Sequence, residues 1–314
     1  MRQLLNMLSP AGKRARLMIF TYHRIVEQPD PLMPGTPTLE RFKRQLGWIK
    51  RYCTPIALSE AVARLVKGDL PPRAVAVTFD DGYENNLTLA APALREHGIP
   101  ATIFVAVDAV ERGIMWNDIL AEAVRAASES IDARAAGLGV LRVDDGNKAQ
   151  VLADLFAAVK YRPVKERLEI CEAIYASVST APIARQMLRP AQLAELPAFG
   201  FEIGAHTVNH PILRILSESE AQQEIDDSRA WIEATTGTRP TLFAYPNGKR
   251  GDDYDARHAD MVRALGFDAA VSTNWGCASR STPLFELPRF KPWEDTDFGF
   301  VTRLCKVAAQ SYVQ

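Results

Sequence analysis

Six short apolar runs, separated by segments with helical periodicity, constrain the fold of this chain more than any other feature of its sequence. Runs of this length that alternate with helices are typical of parallel β-strands joined by crossover helices. The sequence therefore predicts an α/β fold built on a parallel sheet. The predicted strands are residues 17–22, 74–79, 101–106, 201–205, 241–244 and 269–272.

Helix-boundary signals support this interpretation of the intervening segments. Ser217 and Glu220 match a capping box, and the helix that follows is expected to end at Gly237. Two further helices are expected at 84–97 and 259–265, each closed by a glycine.

Residues 108–190 differ from the rest of the chain, because they are rich in Ala, Glu and Arg and contain no strong strand pattern. We expect a mainly helical insertion within a single domain that spans residues 1–314. The insertion follows the predicted strand 101–106 at its carboxyl end, so it should lie beside the mouth of the fold. Trp116 would then line a sugar site or, equally well, belong to the core.

The charge balance excludes several classes of function. The chain has 37 basic and 38 acidic side chains and a net charge of −1, so no overall field favours nucleic acid or anionic lipid. Residues 1–17 are basic and mildly apolar, but Pro10 and several basic residues interrupt them, which argues against a signal peptide or a membrane span. We expect a cytoplasmic protein without a transmembrane segment. A first core helix is favoured at residues 4–8, and a peripheral membrane contact there is the alternative.

The four cysteines indicate neither a disulfide framework nor a metal site. Cys53, Cys171, Cys277 and Cys305 are well separated, so no CxxC pair exists. We expect free and mostly buried thiols. The sequence carries no pattern that indicates an oligomeric state.

Polar side chains follow four of the predicted strands at the point where each strand ends. His23 follows the first strand, Asp80 and Asp81 the second, His206 the fourth, and residues 245–248 the fifth. The carboxyl ends of parallel strands share one edge of the sheet, where active sites are built. The sequence therefore predicts a functional site at this edge.

The segment Thr78-Phe-Asp-Asp-Gly82 places two carboxylates next to each other. Neighbouring residues that leave a strand point in different directions, so one carboxylate can bind a metal ion while the other handles a proton. An isolated Asp-Asp-Gly is more often a solvated turn, as we expect for Asp144-Asp-Gly146 in the insertion. The apolar strand before Asp80 distinguishes the two segments.

The segment His206-Thr-Val-Asn-His210 contains two histidines four residues apart. This spacing lets two imidazoles converge on one ion if the segment is helical or tightly turned. Two histidines and one carboxylate suit one divalent ion, for which zinc is favoured over cobalt, nickel or another divalent metal.

These two segments resemble the polysaccharide deacetylase family, also called the NodB-homology family or carbohydrate esterase family four. Segment 78–82 is similar to the first family motif, and segment 206–210 matches the second, H-[ST]-x-x-H. The resemblance spans roughly residues 17–292 and implies a distorted (β/α) barrel in which a metal-bound water attacks an acetamide carbonyl. The expected substrate is an N-acetylated amino-sugar polysaccharide or oligosaccharide of exopolysaccharide or cell-envelope glycan metabolism.

Carried over residue by residue, the resemblance implies roles for four side chains. Asp80 is the general base, and Asp81, His206 and His210 are the metal ligands.

The chain departs from the family pattern at the third motif. The usual Arg-x-Pro-Tyr-Gly is replaced by Phe243-Ala-Tyr-Pro-Asn-Gly248. In this segment the backbone N–H near Asn247 is the matching oxyanion donor, and Tyr245 is a further candidate substrate contact. The motif arginine is missing, and Arg289 is the candidate that orients Asp80 in its place.

The general acid has to come from the three histidines outside the metal pair. The late catalytic histidine of the family is absent, because no histidine follows His258. His97 and His258 lie in polar helix-end segments and are expected at the surface. His23 ends an apolar strand, in a segment similar to the early Tyr-His motif of the poly-N-acetylglucosamine deacetylase branch. We expect His23 to protonate the leaving amine, kept charged by Asp268 or Glu202; a hydrogen-bonded core histidine is the alternative.

Two other functions stay open. One is a deacetylase or deformylase that acts on a lipid-linked sugar. The other is a catalytically silent carbohydrate-binding protein on the same fold, against which the complete set of candidate catalytic residues argues.

Overall fold

The protein, described by a computed structural model over residues 2–310, has a central sheet surrounded by helices. The strands are β1 (Met18–Tyr22), β2 (Thr54–Pro55), β3 (Ala74–Phe79), β4 (Ala101–Val105), β5 (Ser130–Asp132), β6 (Val140–Arg142), β7 (Phe201–Ala205), β8 (Leu242–Ala244) and β9 (Ala269–Val271). The α-helices are α1 (Arg2–Leu8), α2 (Leu39–Tyr52), α3 (Leu58–Lys67), α4 (Ala91–His97), α5 (Val107–Arg112), α6 (Trp116–Ala126), α7 (Lys148–Val159), α8 (Val164–Ala176), α9 (Pro190–Leu193), α10 (Glu218–Thr236), α11 (Ala256–Ala264) and α12 (Asp297–Ala309).

The central sheet is parallel and curls into a distorted barrel. Its strand order is β1-β3-β4-β7-β8-β9, with β2 paired to the start of β3. A segment near residue 288 closes the gap between the outer strands, because Leu287 pairs with Val271 of β9 and Phe290 pairs with Phe20 of β1. The predicted distorted (β/α) barrel is confirmed, and its closure depends on isolated bridges instead of a full strand.

All six predicted strands are present, each within one residue of its predicted bounds. The sequence did not indicate β2, which has only two residues, or the antiparallel hairpin of β5 and β6. Strands this short cannot display the alternation on which strand prediction depends.

The two faces of β3 explain where the residues beyond it point. Val77 and Phe79 belong to the apolar cluster beneath the outer helices, whereas Ala74 and Ala76 belong to a separate inner cluster. Because side chains alternate along a strand, Asp80 continues the inward series of Ala74 and Ala76.

The predicted helix boundaries hold at α10, where Ser217 and Glu220 form the capping box and Gly237 ends the helix in a left-handed conformation. The helix predicted at 84–97 instead starts as a π-helical turn, Asn86–Ala90, followed by α4. Pro92 has no N–H and cannot donate the bond that an α-helical turn needs there.

Residues 108–190 contain four helices and the β5–β6 hairpin, and they have an apolar cluster of their own. Leu120, Leu155 and Ile174 are fully buried in that cluster. The segment at Asp144 is an exposed turn, as expected, because the Asp144 carboxylate accepts a hydrogen bond from the backbone of Gly146.

Buried polar contacts attach this insertion to the carboxyl ends of the barrel strands. Asp118 of α6 accepts hydrogen bonds from Arg24, which follows β1, and from the Tyr83 hydroxyl at 2.9 Å. Arg167 of α8 donates to the carbonyl of His210 at 3.0 Å. The insertion therefore lies at the mouth of the barrel.

The four cysteines are free, and all but Cys305 are buried, as predicted. Within residues 2–310, no helix combines the length and the apolar character needed to cross a membrane.

Candidate active site

The loops after the barrel strands surround a cavity of about 270 Å³. On the barrel side it is lined by His23, Asp80, Asp81, His206, His210 and Asn247. All the predicted site residues line this cavity except Tyr245 and Arg289, and Arg289 contacts Asp80 directly.

Asp81, His206 and His210 form a cluster with the spacing of a metal site. The Asp81 Oδ1 atom lies 3.6 Å from Nε2 of His206 and 3.5 Å from Nε2 of His210. Three ligands about 2.1 Å from one tetrahedral ion lie about 3.4 Å from each other. The Asp81 Oδ1 atom is buried and has no hydrogen-bond partner. A divalent ion fits these residues.

A tight turn, and not a helix, brings the two histidines together. Thr207 and His210 both have positive φ angles, of 65° and 50°. The Thr207 hydroxyl accepts a hydrogen bond from the backbone N–H of His210 at 3.1 Å. On the other side, Nδ1 of His206 lies 2.7 Å from the carbonyl of Ala244. If Nδ1 of His206 carries the proton, Nε2 has a free lone pair that points towards Asp81.

Backbone conformations that L-residues rarely adopt are concentrated here. In the described part of the chain five non-glycine residues have positive φ, and four of them are Asp81, Thr207, His210 and Asn247. Strained backbone of this kind persists where the surrounding structure holds it, often at functional sites.

Asp80 is bound by a bidentate arginine. Both Asp80 oxygens lie 2.7 Å from the guanidinium nitrogens of Arg289, which comes from the segment that closes the barrel. Arg289 is itself held by the carbonyl of Ser272 at 3.0 Å and the hydroxyl of Thr78 at 3.1 Å. Burial alone would raise the pKa of Asp80, but the charge and hydrogen bonds of Arg289 lower it well below the ordinary value. Asp80 is therefore a carboxylate at neutral pH.

The pKa of the neighbouring residue, Asp81, is shifted in the opposite direction. Burial, together with the negative charges of Asp80 and Asp118, raises the pKa of Asp81 to about 8. Burial lowers the pKa of both His206 and His210, so these rings are neutral near pH 7.

His23 lies between the main cavity and a second cavity of about 260 Å³, with which the main cavity shares His23 and Asn117. Burial and the positive charge of Lys291 lower the pKa of His23 to about 3, against the opposing effect of Asp80. The Trp293 ring forms part of the wall of the second cavity.

The prediction that Glu202 or Asp268 keeps His23 charged is wrong. Glu202 accepts hydrogen bonds from Ser59 and Thr102 near the start of β7, and Asp268 is exposed just before β9. Both lie at the amino ends of their strands, whereas His23 follows the carboxyl end of β1, so they are at the opposite end of the barrel from His23.

The expected surface position of His258 is also wrong. His258 is fully buried, and its Nε2 lies 3.1 Å from the carbonyl of Leu213 while its Nδ1 accepts from the backbone of Asp255. His97 is partly buried at the end of α4, with Nδ1 2.8 Å from the carbonyl of Ala93. Neither ring lines the cavity.

Tyr245 is not a substrate contact. Its ring is fully buried and stacks on Tyr254 with centroids 3.8 Å apart, and its hydroxyl donates to the carbonyl of Phe285. Asn247, two residues later, does line the cavity, and its side-chain nitrogen is buried without a hydrogen-bond partner.

Sequence reasoning missed most of the wall that the insertion contributes. Phe156 and Lys160 line the cavity together with Trp116, the one such residue that the sequence singled out. Trp116 lies beneath the guanidinium of Arg167, 4.8 Å from the ring centroid. No local motif marks these positions, because the packing of α6, α7 and α8 on the barrel places them there.

Comparison with known proteins agrees with this geometry. Residues 67–270 match the family described as polysaccharide deacetylase. The protein YxkH of Bacillus subtilis (strain 168) is 22% identical over 282 residues, which cover 89% of this chain and 72% of the relative. The poly-beta-1,6-N-acetyl-D-glucosamine N-deacetylase of Staphylococcus epidermidis is 30% identical over 102 residues, 28% of this chain and 35% of the relative.

Among solved structures, the Streptococcus pyogenes deacetylase PplD in complex with acetate has a similar fold. The TM-score is 0.64 at 19% identity, and the match covers 93% of this chain and 98% of that one. The family match spans most of the barrel, including the strands that carry Asp80, Asp81, His206 and His210. The chain therefore belongs to the polysaccharide deacetylase family, hydrolases that act on amide bonds.

Proposed function

We propose that the protein is a metal-dependent deacetylase that removes N-acetyl groups from an amino-sugar oligosaccharide or polysaccharide. The observation that carries the proposal is the cluster of Asp81, His206 and His210 beside the Asp80–Arg289 pair, at the end of a cavity. The substrate named for the Staphylococcus epidermidis relative makes poly-N-acetylglucosamine of an exopolysaccharide or cell envelope the first candidate.

The metal cluster and Asp80 would have separate roles in the reaction. Asp81, His206 and His210 would hold one divalent ion, for which zinc suits two imidazoles and one carboxylate. When bound, such an ion lowers the pKa of a water molecule and polarises the amide oxygen. Asp80, kept charged by Arg289, accepts a proton from the attacking water.

The carbonyl oxygen and the leaving nitrogen need further partners. Asn247 lines the cavity with a positive φ of 57°, and its backbone N–H is the proposed donor to the developing oxyanion. Because the resting His23 ring is neutral, it passes to the nitrogen the proton that Asp80 takes from the water as the C–N bond breaks, so that water and the acetamide become acetic acid and a free amine.

The second cavity beside His23 favours an oligomer over a single sugar. Its wall includes the Trp293 ring, which is 48% exposed, and the aliphatic side of Pro37. A sugar next to the one that loses its acetyl group can lie against this aromatic face.

Acetate release is the direct test. N-acetylglucosamine and its oligomers are incubated with the protein, with a chelator, and with chelator followed by zinc. We expect acetate from oligomers faster than from the monomer, loss of activity on chelation, and recovery with zinc. Release of formate from N-formyl sugars would instead favour a deformylase, and oligomer binding without any release would favour a carbohydrate-binding protein.

Metal affinity should depend on pH through Asp81. A carboxyl group with a pKa of about 8 is protonated at lower pH and must lose that proton before it binds a cation. We expect the apparent zinc association constant to rise about tenfold per pH unit from pH 6 to 8 and then level off. Calorimetry in buffers of different ionisation enthalpy should give about one proton released per zinc at pH 7.

Asp81→Asn is the matched variant for this measurement, since asparagine also tolerates the left-handed backbone of residue 81. It should release no proton and bind zinc more than tenfold more weakly, since the loss of even an outer-shell partner of a ligand costs about 10–100-fold in affinity. A wild-type affinity that does not change between pH 6 and 8 would exclude Asp81 as the ligand that titrates.

A further inference from the structure

A basic depression lies at the end of the barrel opposite the candidate active site. It has a volume of about 420 Å³, and its cationic lining residues are Lys13, Arg14, Arg16 and Arg280. No carboxylate lines it. The local charge is therefore strongly positive although the whole chain has a net charge of −1.

These cations have no acidic partners within the described residues. None of the four forms an ion pair there, whereas about half of the other exposed arginines of the described chain lie beside a carboxylate, as Arg44, Arg134 and Arg263 do. Arg280 instead donates to the backbone carbonyl of Val66 at 3.3 Å. Charges that are not neutralised by the protein are available to an anionic partner.

Apolar side chains border the same depression. Met7 of α1 contributes to its lining and is 79% exposed, and Leu4, one turn earlier, is 51% exposed. Leu5 on the opposite side of α1 is fully buried, so the helix is attached to the core by one face only. Val66, whose carbonyl binds Arg280, is 50% exposed.

Backbone contacts locate this surface at the amino ends of the strands. Gly12 donates to the carbonyl of Leu70, and Arg73, just before β3, donates to the carbonyl of Ser9. The candidate catalytic residues follow the carboxyl ends of the same strands. The basic depression and the cavity therefore face in opposite directions.

We propose that α1 and the basic depression form a docking surface for an anionic phospholipid bilayer. Cations next to exposed apolar side chains match an interface where charge attracts the headgroups and apolar groups enter below them. A soluble polyanion would use the cations but would gain nothing from Met7 and Leu4. Docked in this way, the protein would hold its cavity away from the membrane, towards a glycan in the aqueous phase.

Vesicle binding by the full chain tests the proposal. We expect the protein to cosediment with vesicles of phosphatidylglycerol and phosphatidylcholine at low salt and to dissociate from them at high salt. It should not bind vesicles of pure phosphatidylcholine. The triple variant Lys13→Gln/Arg14→Gln/Arg280→Gln should bind about 100-fold more weakly, since each cation near an anionic surface contributes about a factor of five. Met7→Ser should weaken binding about tenfold.

A charge-matched control separates this surface from a general effect of charge. Its positions are exposed cations of the insertion, at the opposite end of the barrel, replaced as Arg134→Gln/Arg142→Gln/Lys165→Gln. The proposal requires the control to bind vesicles like the wild type. Equal loss in both triple variants, or no wild-type binding to anionic vesicles at low salt, would overturn it. An unchanged affinity of Met7→Ser, with full displacement from vesicles by soluble polyphosphate, would overturn it in favour of a polyanion site.

Discussion

Asp80→Asn should abolish deacetylation while Asp81, His206 and His210 remain able to bind a divalent ion. Asparagine has the shape of aspartate but cannot accept the proton of the attacking water, and general-base catalysis of this kind contributes up to about 10⁴-fold to the rate. We expect kcat to fall about 10³-fold or more on an N-acetylglucosamine oligomer. Calorimetry should still detect zinc binding, because Asp81, His206 and His210 are untouched. The pH dependence of the affinity should move to lower pH, since the charge of Asp80 helps to raise the pKa of Asp81.

The variant also leaves a buried guanidinium with a weaker partner. The side chain of Arg289 is fully buried and its two hydrogen bonds to Asp80 are both 2.7 Å long. Removing one partner of a buried ion pair costs about 3–5 kcal/mol, so the thermal midpoint should fall and activity must be measured well below it.

Thr78→Val is the matched control, because it removes a 3.1 Å hydrogen bond to the same guanidinium and keeps the carboxylate. It should keep activity within about tenfold of the wild type, the cost of one hydrogen bond to a charged group. If Asp80→Asn retains a tenth of the activity while it remains folded, Asp80 is not the base.

The adjacent carboxylates Asp80 and Asp81 acquire different roles from their surroundings. Arg289 keeps Asp80 charged, whereas burial and the charge of Asp80 itself favour a protonated Asp81 until a cation arrives. Environments that push two pKa values apart are a general way to assign two tasks to like groups. The sequence shows that the two carboxylates are adjacent and offers Arg289 as a candidate partner of Asp80. The fold brings that arginine, 209 residues along the chain, into contact with Asp80.

The barrel and the convergence of Asp81, His206 and His210 could be predicted from the sequence because both depend on local patterns. Buried parallel strands are continuous apolar runs, and the residue that follows such a run lies at the carboxyl edge of the sheet. This places His23, Asp80 and His206 at one edge before any contact is known. The two histidines of 206–210 lie four residues apart in sequence, so one tight turn is enough to bring them together.

The incorrect predictions concern residues whose environment depends on distant parts of the chain. Tyr245 follows a strand as Asp80 does, yet its ring points into the core and stacks on Tyr254. His258 follows a polar segment, but Leu213 supplies a buried acceptor for it. Glu202 lies at the amino end of its strand, and the candidate site lies at the carboxyl end of the barrel strands.

His23→Ala should affect amide and ester substrates very differently. An amine is a very poor leaving group unless it is protonated, whereas an activated ester such as an aryl acetate leaves without a proton. If His23 is the acid, we expect amide hydrolysis to fall about 10²–10⁴-fold and ester hydrolysis to fall less than tenfold. The measurement is kcat/KM on an N-acetylglucosamine oligomer and on the ester, with the same zinc-loaded protein.

The position of the ring makes this test decisive. His23 lies where the main cavity meets the cavity beside Trp293, through which the amine and the rest of the glycan would leave. Burial, together with the positive charge of Lys291, lowers the pKa of His23 to about 3. A ring with so low a pKa is neutral in the resting site, so the proton it gives to the amine is the one that Asp80 takes from the attacking water, and the ring gives that proton up readily. His97→Ala, a histidine outside both cavities, should leave both rates unchanged. Equal losses on amide and ester in His23→Ala would instead mean that the ring positions the substrate or supports the metal site, and that the amine receives its proton from another group.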